Sequence, residues 1–210
     1  MNRFRFIAVF AILLMLTSCE EEDVDLKRQV EWEKIEFVDG GAIYAIHGDL
    51  KDYLLVATTS QILRSEDGGK TWNTAANVVS PVGDFWPLND DIYAITNDTD
   101  YVSHDQGLTW VAEEFNHDLF PRSQNFNDSK WILYQVVDHV DSELRLPTSL
   151  LRSLDKGNSW ESIFPFKRIF YSWHIDAHDR VYIGTWEAIW DGRFFVSDDA
   201  KNKAYLYYMK

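Results

Sequence analysis

Three copies of one eight-residue pattern constrain this chain more than any other feature: Ser65-Glu66-Asp67-Gly68-Gly69-Lys70-Thr71-Trp72, Ser103-His104-Asp105-Gln106-Gly107-Leu108-Thr109-Trp110 and Ser153-Leu154-Asp155-Lys156-Gly157-Asn158-Ser159-Trp160. Each reads S-x-D-x-G-x-[T/S]-W, and starts at 65, 103 and 153 set the copies 38 and 50 residues apart. Recurrence in order along 210 residues makes this a repeat protein. Asp accepts hydrogen bonds from backbone N–H groups a little further on, Gly supplies a positive φ, and the Ser or Thr hydroxyl caps the loop. Trp then opens a return strand and buries its ring under the turn. Gln61–Arg64, Asp100–Val102 and Leu150–Arg152 read as the strands leading in, so each motif is expected to be a β-hairpin loop.

On these residues the motifs resemble Asp-boxes, the BNR repeats of sialidase-like and related β-propellers. The spacing fits the ~40–50 residues of a four-stranded blade. The expected fold is all-β: a propeller-like array of about four four-stranded antiparallel blades, either a closed ring or an arc of a larger propeller. The resemblance implies a structural role for Ser65, Asp67, Gly69, Thr71 and Trp72, for Ser103, Asp105, Gly107, Thr109 and Trp110, and for Ser153, Asp155, Gly157, Ser159 and Trp160. Ser197-Asp198-Asp199 reads as a degenerate fourth copy, with Lys201 in place of the Gly and Ala204 in place of the Trp. Tyr44–Ile46, Asp91–Ile95, Trp131–Tyr134 and Arg180–Thr185 read as inner strands of successive blades. Trp32–Phe37 resembles Trp160–Phe164, the strand after a motif, so the chain seems to open on an outer strand. Ala204–Met209 also reads as an outer strand, and the two compete for one edge.

The N-terminus carries a separate signal. Arg3 and Arg5 precede a short apolar run from Phe6 to Leu16, the pattern of a signal peptide. Leu16-Thr17-Ser18-Cys19 follows and resembles the bacterial lipobox, which implies cleavage before Cys19 and lipid on its sulfur. Cys19 is the only cysteine, so an intramolecular disulfide is excluded. The organisation expected is a signal peptide over 1–18, a lipid-anchored acidic tether over 19–30 and a propeller-like domain over 31–210. The run Glu20-Glu21-Glu22-Asp23 fits a solvated tether, and it also resembles the export signal of surface-displayed Gram-negative lipoproteins. The expected location is the bacterial cell envelope, in the outer membrane and at its surface.

The formal charge is −14, and losing Arg3 and Arg5 with the leader makes it −16. Such an acidic chain disfavours nucleic acid and anionic lipid surfaces as partners. Attachment to a membrane then depends on the lipid anchor. With 46% hydrophobic residues, nine Trp and thirteen Phe, the remainder has ample material for one core.

In a propeller the rim opposite the motif loops is where ligands usually bind. Ser80–Trp86, Phe120-Pro121-Arg122, the long stretch His139–Pro147 and Trp186–Asp191 are expected there, with His139–Pro147 an insertion that lengthens the middle repeat. Trp86, Arg122, Trp186 and Trp190 are the candidate ligand-binding residues, for a glycan or an envelope protein. No catalytic residue is assigned. Sialidase chemistry needs an arginine triad, a Tyr–Glu pair and an Asp, and the Arg-Ile-Pro motif of that family is missing. A glycan-active hydrolase using two carboxylates on the same rim is the alternative. His174, Asp176 and His178 alternate as strand ligands would, but Asp176–Arg180 reads as a tight turn. Neither a metal nor a cofactor is expected.

Overall fold

The computed structural model describes residues 30–37, 41–113, 125–141, 144–166, 168–190, 195–197 and 203–210. The leader, Cys19, the tether before residue 30, Arg122 and Asp198-Asp199 lie outside these residues. The described residues form four antiparallel sheets, and each sheet is one blade.

Blade I comprises β1-independent strands in chain order: β2 (Ala45–Gly48), β3 (Leu54–Ala57), β4 (Gln61–Ser65) and β5 (Asn73–Asn77). All four residues of β3 are buried, because an apolar strand in the middle of a blade is covered on both faces. Blade II is β6 (Asp84–Leu88), β7 (Asp91–Ile95), β8 (Tyr101–Ser103) and β9 (Val111–Ala112). Blade III is β10 (Asn125–Asn127), β11 (Leu133–Asp141), β12 (Leu144–Ser153) and β13 (Glu161–Ser162). Blade IV joins the two ends of the chain: β14 (Arg168–Ile175), β15 (Val181–Trp190) and β17 (Ala204–Met209) are completed by β1 (Trp32–Phe37), while β16 (Phe195–Ser197) pairs with the far end of β15.

Several sequence expectations change here. β1 and β17 do not compete for an edge: they pair along their whole length, from Trp32 opposite Met209 to Phe37 opposite Ala204, so β17 is the third strand of blade IV and β1 the fourth. Ser197 is therefore not a motif position between a third and a fourth strand, since it ends β16 before β17 begins. Of the expected inner strands only Tyr44–Ile46 leads a blade, through β2. The others run into the second strands β7, β11 and β15. His139–Pro147 is not a loop; the backbone at 139–141 and 144–147 extends the β11–β12 hairpin, with a bulge between Val137 and Asp138 beside Pro147.

Three clusters of buried side chains fill three seams between blades. Leu55, Ala57 and Ile62 of blade I meet Phe85, Ile92 and Ala94 of blade II. Ile43, Ile46, Leu54 and Val56 of blade I meet Phe37, Tyr182, Ala204 and Leu206 of blade IV. Tyr134, Val136 and Leu150 of blade III meet Phe170, Val181, Ile183 and Tyr207 of blade IV. Among the described residues no such cluster joins blade II to blade III. The continuous core thus runs from blade II through I and IV to III. Each cluster removes fully buried residues such as Ile62, Leu54 and Leu150 from water, at roughly 1.5–3 kcal/mol per side chain.

Candidate functional site

The third strands fix the two rims. β4, β8 and β12 end at Ser65, Ser103 and Ser153, the first residues of the three motifs, and this end is the motif rim. Within each motif the local bonds are the same. The Ser Oγ accepts the N–H of the motif Gly at 2.9, 2.7 and 2.7 Å and donates to the Asp Oδ1. That Asp also accepts the N–H and hydroxyl of Thr71, Thr109 or Ser159. These bonds, the hydroxyl first, hold Asp67, Asp105 and Asp155 at about 2, below the ordinary 3.8. The Trp indole N–H closes the turn on the motif Gly carbonyl. Two adjacent residues have positive φ, the motif Gly and the residue before it, which is Gly68, Gln106 or Lys156. The sequence marked only the first of that pair.

A second repeated turn on the same rim was missed in the sequence. Between the first two strands of blades III and IV, buried Asp128 and Asp176 each accept two backbone N–H groups on Oδ1, from Lys130 and Ile132 and from His178 and Arg180. Each also takes a hydroxyl six residues on, Tyr134 or Tyr182, on Oδ2. The shared spacing, Asp and then Tyr at the sixth position after it, was the available signal. Asp176 is thus bound into its turn, while His174 lies against a backbone carbonyl, with Nε2 3.0 Å from Gly48 O. Burial lowers the His174 value, and burial together with neighbouring His174 lowers His47 to about 4, so both rings are neutral near pH 7.

The opposite rim carries the cluster best suited to a ligand. Gly184 of β15 lets Ile43 approach closely: a Cβ there would stand 2.6 Å from Ile43 Cγ2. Ile43 N–H then donates to Thr185 O at 3.2 Å, and Ser172 Oγ donates to Ile43 O at 2.9 Å. Ala42 bridges to Trp186, and Tyr44 is brought to blade IV. In β14 the pairing passes from Phe170 opposite Thr185 to Ser172 opposite Gly184, so Tyr171 is the extra residue of a β-bulge. A bulge re-aims its side chain, and here it sets Tyr171 5.0 Å from Tyr44 and 6.4 Å from Trp186 between ring centres. Tyr171 is 40% exposed and the other two rings are half-buried. Burial, with Tyr44 adding to it, raises the Tyr171 phenol above its ordinary value, so it remains a neutral hydroxyl. Three flat rings with hydroxyl groups and no charge suit stacking against a sugar ring or an apolar side chain.

Of the residues singled out in the sequence, Trp186 belongs to this cluster. Trp86 does not: it lies within β6 opposite Tyr93, one step from the Ile92–Ser103 pair, and so nearer the motif rim. The expectation placed it on the other rim because it assigned the blade-entering loop three residues too many; Gly83 N–H already bonds Ile95 O as the strand begins. Trp190 ends β15, where the structure describes its backbone alone, and Arg122 is outside the described residues. Tyr44 and Tyr171 were missed. The break in alternation across Arg168–Ile175 was the signal for the bulge.

No protein-family model matches the chain, and no curated protein matches it. Solved structures do. The chain is similar to YCF48 from Cyanidioschyzon merolae, with 15% identity over 80% of this chain and 57% of that one and a TM-score of 0.34. It is also similar to YCF48 bound to D1 peptide, with 12% identity, 81% and 59% coverage and a TM-score of 0.33. A third is the GH74 xyloglucanase from Xanthomonas campestris, with 13% identity, 80% and 37% coverage and a TM-score of 0.25. The chain therefore spans less than two thirds of the length of each of these proteins.

Proposed function

We propose that this chain is a lipid-anchored binding protein of the bacterial cell envelope, held by Cys19 and built on Asp-box repeats, that takes a glycan or an envelope protein on the rim opposite its motifs. The observation that carries the reading is the Tyr171 bulge, which gathers Tyr44, Tyr171 and Trp186 from two blades into one partly exposed aromatic patch. A non-catalytic role is supported by the use made of the carboxylates: Asp67, Asp105, Asp155, Asp128 and Asp176 are all bound into turns.

The test is a glycan array probed with the soluble domain from residue 24 onward, beside a pull-down from envelope extracts. Tyr171→Ala and Trp186→Ala should each lower capture about tenfold or more, as loss of an anchoring ring does, without moving the melting temperature of the motif turns. Undiminished capture by both variants would remove this rim as the site. Anchoring has its own readout: Cys19→Ala should abolish uptake of a fatty-acid label, and a wild-type chain that takes up no label would contradict it.

A further inference from the structure

We infer that the third motif turn is a docking seat for an extended segment of a partner polypeptide that presents a branched aliphatic side chain. The first two motifs show what such a seat receives. Against Gly69 stands Ile35 of β1, from blade IV, and against Gly107 stands Leu55 of β3, from blade I, with its methyl carbons 2.6 and 2.7 Å from where a Cβ would be. In both cases a neighbouring blade's strand inserts an aliphatic side chain into the hollow that the glycine leaves. Gly157 meets only its own blade, Leu133 Cδ1 at 3.6 Å and the Trp160 ring at 3.8 Å.

The residues around the third seat differ in the same sense. Leu133 stands where blade I has Leu54 and blade II has Ile92; those two are buried at 1% and 4%, whereas Leu133 is half-buried. One step along, buried Val56 and Ala94 are replaced by half-buried Gln135. Trp160 is 39% exposed and Leu154 42%. Trp131, in the adjoining turn, is 72% exposed at a φ of 62°, a conformation that disfavours a bulky side chain and that Asp179 occupies in the matching turn of blade IV. An exposed Trp held in such a backbone is costly for folding alone and fits a contact made on binding. The seat continues the series of seams in which motifs 1 and 2 are already covered, and those seams define its occupant: an aliphatic side chain carried on extended backbone.

The probe is a hexapeptide with the sequence of β1, Trp-Glu-Lys-Ile-Glu-Phe, in which the Ile is replaced by a photoreactive diazirine analogue of leucine. The full chain is irradiated with it and the adducts are mapped by mass spectrometry. Adducts should fall on Leu133, Gly157 and Trp160, and Leu133→Lys should reduce them about tenfold or more. Leu154→Glu, a change at an exposed position, should reduce them as well, which keeps the test valid if Leu133→Lys disturbs folding. Adducts around Gly69, or adducts no more frequent at the third motif than those of a scrambled peptide, would overturn the inference. Self-association in light scattering that Leu133→Lys abolishes would assign the seat to a second copy and would likewise overturn it.

Discussion

Motif turns 2 and 3 are alike inside and unlike outside. Their serine, aspartate and indole bonds agree to within a few tenths of an ångström, from Ser103 Oγ to Gly107 at 2.7 Å and Ser153 Oγ to Gly157 at 2.7 Å to the indole bonds at 3.2 Å. Their surroundings diverge. Blade I clamps motif 2 twice, with Leu55 over Gly107 and with buried Arg64, whose Nε donates to Gln106 O at 3.1 Å. The position matching Arg64 in blade II is Val102, which has no donor to offer motif 3. Arg152, which occupies the Arg64 position in blade III, binds its own strand through Glu161. The eight residues therefore specify a hairpin turn, while the docking of that turn is specified by the blade before it.

The largest effect that separates docked from undocked turns concerns the motif tryptophans. Trp72 packs 4.9 Å from Phe37 across the I–IV seam and belongs to its cluster, so Trp72→Ala should cost roughly 2–4 kcal/mol, just below a full core deletion. Trp160→Ala should cost about 1 kcal/mol, since its ring is more exposed and joins no buried cluster. Urea unfolding of both variants measures the difference, and equal losses would break the comparison.

The next effect sharpens it by showing what does not differ. Ser103 and Ser153 are both buried and each holds a glycine N–H, so Ser103→Ala and Ser153→Ala should cost similar amounts, about 1–3 kcal/mol, from the orphaned donor. A threefold disparity in chemical denaturation would mean that the internal bonds depend on docking.

The smallest effect is a pH dependence that distinguishes seam from motif. Between pH 6.5 and about 4 the unfolded chain takes up protons that buried His47 refuses, and His174 acts in the same direction. Stability should be full above pH 6.5 and decline as pH falls toward 4, and His47→Gln should flatten that limb. The motif aspartates act lower. Their contribution is present above 3.8 and is lost as pH falls toward about 2, alike for all three turns. Melts across this range resolve the two limbs.

What the sequence reveals follows from the range of each interaction. The motif turns are legible because every bond that defines them lies within eight residues, and the outer-strand character of Trp32–Phe37 shows in its likeness to Trp160–Phe164. Its pairing with β17 is not legible, because that contact joins opposite ends of the chain and either strand alone fits the same edge. Trp186 could be named from its type and place. Tyr44 and Tyr171 could not, since their meeting depends on a bulge in one blade and on the close approach of Ile43 to Gly184 in another. Asp128 and Asp176 escaped notice because their tyrosine partners lie on the strand beyond the turn.

The most direct test of the claim that motif 2 is docked and motif 3 is not compares Gly107→Ala with Gly157→Ala. Both positions have positive φ, 84° and 91°, so the backbone strain of an added Cβ is common to the two and cancels. What remains is space: the new Cβ at 107 collides with fully buried Leu55, whereas at 157 it meets ordinary contacts at 3.6 and 3.8 Å. Thermal melts should show Gly107→Ala lower than Gly157→Ala by the cost of overpacking, about 1–3 kcal/mol, or several degrees in a domain of this size. Equal melting temperatures, or a larger loss at 157, would contradict the account.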